Sequence, residues 1–87
     1  MQEKYLITYN LKTANWNYTG FFTALQNIGA WWHYLDTTWI IKTSYTPQQI
    51  YSMLAPHLSK NDLILVTKIS GTSFGWLPKD AWDWINN

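Results

Sequence analysis

The spacing of apolar residues changes period several times along this chain, and the order of the changes leaves few folds open. From Lys4 to Leu11, Tyr5, Ile7, Tyr9 and Leu11 alternate with Leu6, Thr8 and Asn10, the two-residue period of a strand. From Tyr18 to Ile28 the period becomes helical, with Phe21, Phe22, Leu25 and Ile28 on one face. Asn17 or Thr19 can cap that helix, and Gly29 is expected to close it as a left-handed residue. Trp31–Leu35 and Thr38–Thr43 read as a hairpin around Asp36 and Thr37, although the turn lacks the favoured glycine. Thr46 fits a helix cap, Pro47 the first helical position, and Gln49 the reciprocal position of a capping box. Ile50, Met53, Leu54 and Leu58 make this second helix amphipathic from Pro47 to His57, with Pro56 marking its last turn. Leu63–Ile69 is rich in β-formers and poor in charge, which predicts a well-buried strand. Gly71 and Gly75 are expected to act as hinges in a flexible GTSFG segment. Pro78 then opens a short terminal helix over Lys79–Ile85.

The order β-α-β-β-α-β plus a terminal helix is that of an α+β, ferredoxin-like domain. Residues 1–87 read as that single domain. Its two main helices should cover one face of a four-stranded antiparallel sheet, leaving the other face solvated or covered by another subunit.

Composition favours the covered alternative. The chain has 87 residues, of which 18% are aromatic, including seven Trp. Each large ring buries roughly 150–250 Å². A small core does not need so many rings, so some are expected to face a partner, most simply a second copy. Trp32, Tyr34, Trp39 and Ile41 are candidate contacts on the strands, with Tyr9, Trp76 and Trp82 as further ones. The terminal FGWLPKDAWDWI reads as an aromatic arm that packs on its own sheet edge or on the partner.

The absence of Cys excludes a disulfide framework and a thiolate zinc site. No basic-then-apolar leader opens the sequence, and no apolar stretch approaches the ~20 residues of a membrane span, so a cytoplasmic protein with no membrane contact is expected. Net charge is +1, with six Lys, no Arg and no basic run. Arg is the preferred residue for bidentate contact with phosphate and guanine, so nucleic acid is the weaker partner class.

Three stretches carry a resemblance to a known family. They are Tyr5–Leu11, Ala24–Gly29, and Trp31–Leu35 with Thr38–Thr43, followed by Asn61 and Asp62 before the last core strand. From Lys4 to Gly71 the chain resembles small SinR-family proteins of the Cas-two-like and VapD-type superfamily, which is distinct from the helix-turn-helix repressor of similar name. The resemblance implies a ferredoxin-like homodimer. In nuclease members, an Asp at the end of the first strand of each protomer binds a divalent metal and supports phosphodiester hydrolysis. Tyr9 matches the Tyr that precedes this acid, but the acid itself is replaced by Asn10.

An amide is a weak cation ligand and cannot be a general base. Two Asn10 side chains could hydrogen-bond across a dimer axis, where two Asp would repel without a cation. No catalytic residue, metal ligand or cofactor is assigned, and Asn10 is read as the relic of a metal site. His33 and His57 have no partners at ligand spacing. Asp36 and Asp62 read as turn residues, and Asp80 and Asp83 as a solvated helix face. The leading expectation is a non-catalytic module acting through homodimerisation and protein association, in a mobile-element, phage or defence-related setting. The alternatives are a metal-dependent endoribonuclease or toxin, in which Asp36 or Asp62 replaces the lost acid, and a nucleic-acid binder without catalysis.

Overall fold

Strand β1 (Glu3–Asn10) is followed by helix α1 (Thr19–Ile28), the hairpin β2 (Ala30–Leu35) and β3 (Thr38–Thr43), and helix α2 (Pro47–Leu54). A 3-10 turn (Ala55–His57), strand β4 (Leu63–Ile69) and helix α3 (Lys79–Ile85) complete the chain. The computed structural model describes residues 2–71 and 75–86, with Tyr34 as backbone only, so the middle of the expected hinge segment lies outside the described residues. Its ends, Gly71 and Gly75, have positive φ (80° and 154°). The strands form one antiparallel sheet in the order β2-β3-β1-β4. This is the expected ferredoxin-like arrangement.

The start of α2 follows its sequence closely. Thr46 Oγ1 accepts from Gln49 N, while Gln49 Oε1 accepts from Thr46 N, a reciprocal cap with Pro47 just inside the helix. Pro56 falls in the 3-10 turn that ends this segment. At α1, Asn17 Oδ1 accepts from Thr19 N at 3.0 Å. The Asp36-Thr37 turn is tight but contains no left-handed residue, and the pairing of β2 with β3 is irregular between Trp32 and Leu35. Primed two-residue turns match strand twist by using positive φ; without it, a local break in the ladder accommodates the difference.

Gly29 corrects one expectation. Its φ of 176° and ψ of −164° are extended, not left-handed. Glycine is required there for space, because a Cβ would lie 2.1 Å from the backbone carbonyl oxygen of Lys42. Backbone cannot yield as a flexible side chain can.

Alternation divides the sheet into two faces. Tyr5, Ile7, Tyr9, Trp39 and Ile41 point toward α1 and α2, where they meet Phe21, Leu25, Ile28, Ile50 and Leu54. Full burial of each such side chain stabilises by about 1.5–3 kcal/mol. The Trp39 indole donates to the Tyr9 hydroxyl at 3.0 Å, which satisfies both polar groups inside this core. Burial pushes the Tyr9 hydroxyl up in pKa, and the bond from Trp39 offsets part of that rise.

A second core occupies the other face. Trp32 and Ile40 are covered by Ala81 and Ile85 of α3, with Ile69, Leu77, Trp82 and Trp84 packed around them. The Lys4 ammonium donates to the Ile85 carbonyl at the end of α3, where a cation complements the helix dipole. Lys42 lies 4.2 Å from the centre of the Trp84 ring. The chain itself therefore covers the β2–β3 part of the face expected to be solvated or to need another subunit. Two cores explain much of the aromatic content that one core could not.

Strand β4 is a further correction. It was expected to be well buried, but it is an edge strand, and Leu63 and Leu65 are 54% and 57% exposed. Its low charge reflects two apolar faces, one toward α2 and one open. The sequence run alone does not distinguish that from central burial.

Substituting Gly29→Ala should destabilise the fold by about 1–3 kcal/mol. Thermal unfolding should show a Tm lower by roughly 5 °C or more. An unchanged Tm would show that the close approach of Gly29 to Lys42 is not a constraint.

Candidate interaction surface at the Asn10 corner

Covering β2 and β3 with α3 leaves one corner of the second face open. It is built by the end of β1 and the start of β4, paired Asn10 with Leu63, Thr8 with Leu65, and Leu6 with Thr67. Asn10, Leu63, Leu65 and Thr67 are exposed, and Leu6 and Thr8 are partly so. The Thr8 hydroxyl accepts from Thr38 Oγ1 at 3.1 Å and donates to the Thr37 carbonyl at 3.3 Å. Among the described residues no hydrogen bond holds the Asn10 amide. A shallow hollow beside it is lined by Thr8, Tyr9, Asn10, Leu63, Ile64 and Leu65. That lining contains no carboxylate and no imidazole, the usual ligands of a hydrolytic metal.

Asp62, which precedes Leu63, is engaged by hydrogen bonds within the protomer. Its carboxylate accepts from Lys12 N at 2.7 Å, from Ser59 N at 2.8 Å, and from the Tyr18 hydroxyl at 2.8 Å. The Thr13 and Ser59 hydroxyls share a hydrogen bond of 2.7 Å, and the Trp16 indole donates to the His57 carbonyl at 2.9 Å. Together these contacts join the β1–α1 loop to the α2–β4 loop and fix the rim next to Asn10. Partial burial raises the Asp62 pKa, but the hydrogen bonds from Lys12, Ser59 and Tyr18 outweigh it and hold the carboxyl below its ordinary value. The sequence reading placed Asp62 as a turn residue and missed this clamp. The signal was the spacing Ser59-x-x-Asp62, in which a carboxylate can reach back to a loop amide.

The remaining candidates separate widely. Asp36 is exposed in the hairpin turn. Asp83 pairs with Lys79 at 3.0 Å on the outside of α3. The His33 ring stacks on Trp39 with centroids 4.3 Å apart, and its Nδ1 is 3.1 Å from the Thr38 carbonyl. His57 packs against Gly20, where a Cβ would lie 2.7 Å from His57 Nδ1. Among the described residues, no group of three or more His, Asp and Glu converges in a metal-binding arrangement.

Several of the aromatic contact candidates are buried in the protomer. Tyr9, Trp39 and Ile41 lie in the helix-side core, and Trp32 lies under α3. Trp82 is partly buried at the edge of the second core. The Tyr34 side chain lies outside the described residues. Trp76, 88% exposed, is the most exposed of the described candidates and lies near Leu35 and Pro78. Sequence reasoning missed Leu63 and Leu65, because four consecutive apolar residues, Leu63 to Val66, show no alternation from which an outward face could be read.

Among the described residues, no helix is long and apolar enough to cross a membrane. No protein-family model, curated protein or solved structure matches this chain.

Substituting Asp62→Asn should lower stability at neutral pH by about 1–2 kcal/mol, since hydrogen bonds to an ionised acceptor are the stronger kind. The Asp62 pKa is depressed in the folded state, so its contribution is present above about pH 4 and is lost as pH falls through the folded value. Thermal unfolding from pH 7 to pH 3 should show the wild-type advantage shrinking on acidification. An advantage that persists undiminished at pH 3 would contradict the charged clamp.

Proposed function

We propose that this chain is a non-catalytic ferredoxin-like module that acts by association, forming a homodimer and engaging a further protein. The observation that carries this reading is the open corner around Asn10, whose exposed side chains are neutral and include the apolar Leu63 and Leu65. Uncharged apolar surface suits the centre of a protein interface. It does not suit a polyanion, and it offers a divalent cation no compensating charge.

The distribution of lysines supports the same choice. Lys4 is bound to the Ile85 carbonyl, Lys42 lies over Trp84, Lys68 pairs with Glu3 at 3.5 Å, and Lys79 pairs with Asp83. Nucleic-acid binders gather cations into a free stripe or patch, whereas these four serve the protomer and only Lys12 and Lys60, both exposed, are left without a side-chain partner among the described residues. The mobile-element, phage or defence setting remains part of the proposal and rests on the family resemblance. A module that has lost its metal-binding acid could there occupy or block a partner's surface.

Purified protein should not cleave single- or double-stranded RNA or DNA above background with magnesium or manganese. Titration calorimetry with manganese should show no binding to the unmodified chain and weak binding to Asn10→Asp, which restores a carboxylate at the corner. Metal-dependent cleavage by the unmodified protein, abolished by Asp36→Ala or Asp62→Ala, would overturn the association reading in favour of a nuclease.

A further inference from the structure

The two edges of the sheet differ. Edge strand β2 is interrupted by the irregularity between Trp32 and Leu35, a local break of the kind that blunts an edge. Edge strand β4 has no such protection. It pairs with β1 without a break from Lys4–Ile69 to Asn10–Leu63, contains no Pro, and carries one charged residue, Lys68. On the open face it exposes Leu63 and Leu65. On the helix side it borders a groove lined by Gln48, Tyr51 and Ser52 of α2 together with Ile64 and Val66, with no charged residue. Tyr51 is half exposed there. A regular apolar edge with free main-chain groups is a template for another strand.

We infer that the occupant of this edge is β4 of a second copy, paired antiparallel about a two-fold axis through Leu65, so that two sheets become one. The inference rests on the association reading and specifies its surface. An axis perpendicular to the sheet reverses strand direction and keeps both pairs of helices on one side, so opposed residues must share a face. With Leu65 opposite its twin, Ile64 meets the partner's Val66 twice on the helix side. Leu63 meets the partner's Thr67 on the open face. Asp62 comes opposite the partner's Lys68 at both ends, so the acidic start of each strand faces the basic end of the other.

Neighbouring registers are worse. An axis through Ile64 sets Lys60 against the partner's Lys68, like charges directly opposed. An axis through Val66 sets Lys68 against the partner's Ile64 and leaves Asp62 facing Ser70. Charge complementarity and apolar matching therefore agree on one register. The same axis brings the uncharged Gln48–Tyr51–Ser52 stripes of the two α2 helices side by side.

The chain has no Cys, so a single introduced thiol reports its own neighbour. Directly opposed positions in an antiparallel pair have Cβ atoms roughly 4.5–5.5 Å apart, within reach of a short bis-thiol crosslinker. Leu65→Cys should cross-link to itself efficiently, whereas Leu6→Cys, on the open face but off the edge, should not. Sedimentation should show a dimer of the unmodified chain at micromolar concentration. Leu65→Lys, which sets two like charges at the axis, should weaken the dimer by roughly a hundredfold. Circular dichroism checks that this variant stays folded; if it does not, the Leu65→Cys result decides. A dimer that survives Leu65→Lys and cross-links through Leu6→Cys would overturn the edge register and leave the association reading standing. A chain that stays monomeric at hundreds of micromolar would overturn both.

Discussion

The packing of Ala81 and Ile85 onto Trp32 and Ile40 decides what surface this protein has left. A ferredoxin-like sheet buries one face under two helices, and its other face is the natural place for a partner. Here a short terminal helix occupies most of that place from within the chain, held by Lys4 at its end and by Lys42 against Trp84. The protein is thus layered on both sides of a four-stranded sheet, and it holds two small cores in 87 residues. Chains of this size bury a limited fraction of their surface, and a second core raises that fraction without lengthening the chain much.

Function follows from what this arrangement leaves exposed. The uncovered corner joins Asn10, a neutral residue at the end of β1, to Leu63 and Leu65 on the free edge. Asp62, close by in sequence to Leu63, is bound by three donors from two loops and serves as a structural clamp. Exposed apolar surface on an otherwise well-satisfied protomer is the physical basis of the association reading. Four of the six lysines are engaged by groups of the protomer, and the six form no run in the sequence, which gives little support to electrostatic attraction of a polyanion.

Much of the fold was legible because local chemistry and tertiary structure agree. The Thr46–Gln49 capping box, the alternation of β1 and the apolar stripe of α1 each lie close to their expected positions. What was not legible depended on contacts distant in sequence. Gly29 was read as a left-handed cap because helices commonly end that way, whereas its requirement comes from the carbonyl of Lys42. The Leu63–Val66 run was read as buried because burial on two faces and burial on one face of an edge strand give the same residues. Trp39 and Ile41 were candidate contacts whose facing stayed open, because alternation fixes that two faces exist and does not say which one the helices take. Of the seven tryptophans, Trp32, Trp82 and Trp84 belong to the second core under α3, while Trp16, Trp31 and Trp76 are exposed.

Hydrogen exchange across a range of protein concentrations tests the central claim most directly. In a lone protomer, half of the β4 amides point away from β1 and should exchange quickly, while β3, flanked by β1 and β2, stays protected at every concentration. If the chain is an association module that uses its free edge, amides between Ile64 and Thr67 should become protected as concentration rises through the micromolar range. Exchange in β4 that is fast and independent of concentration would contradict the account.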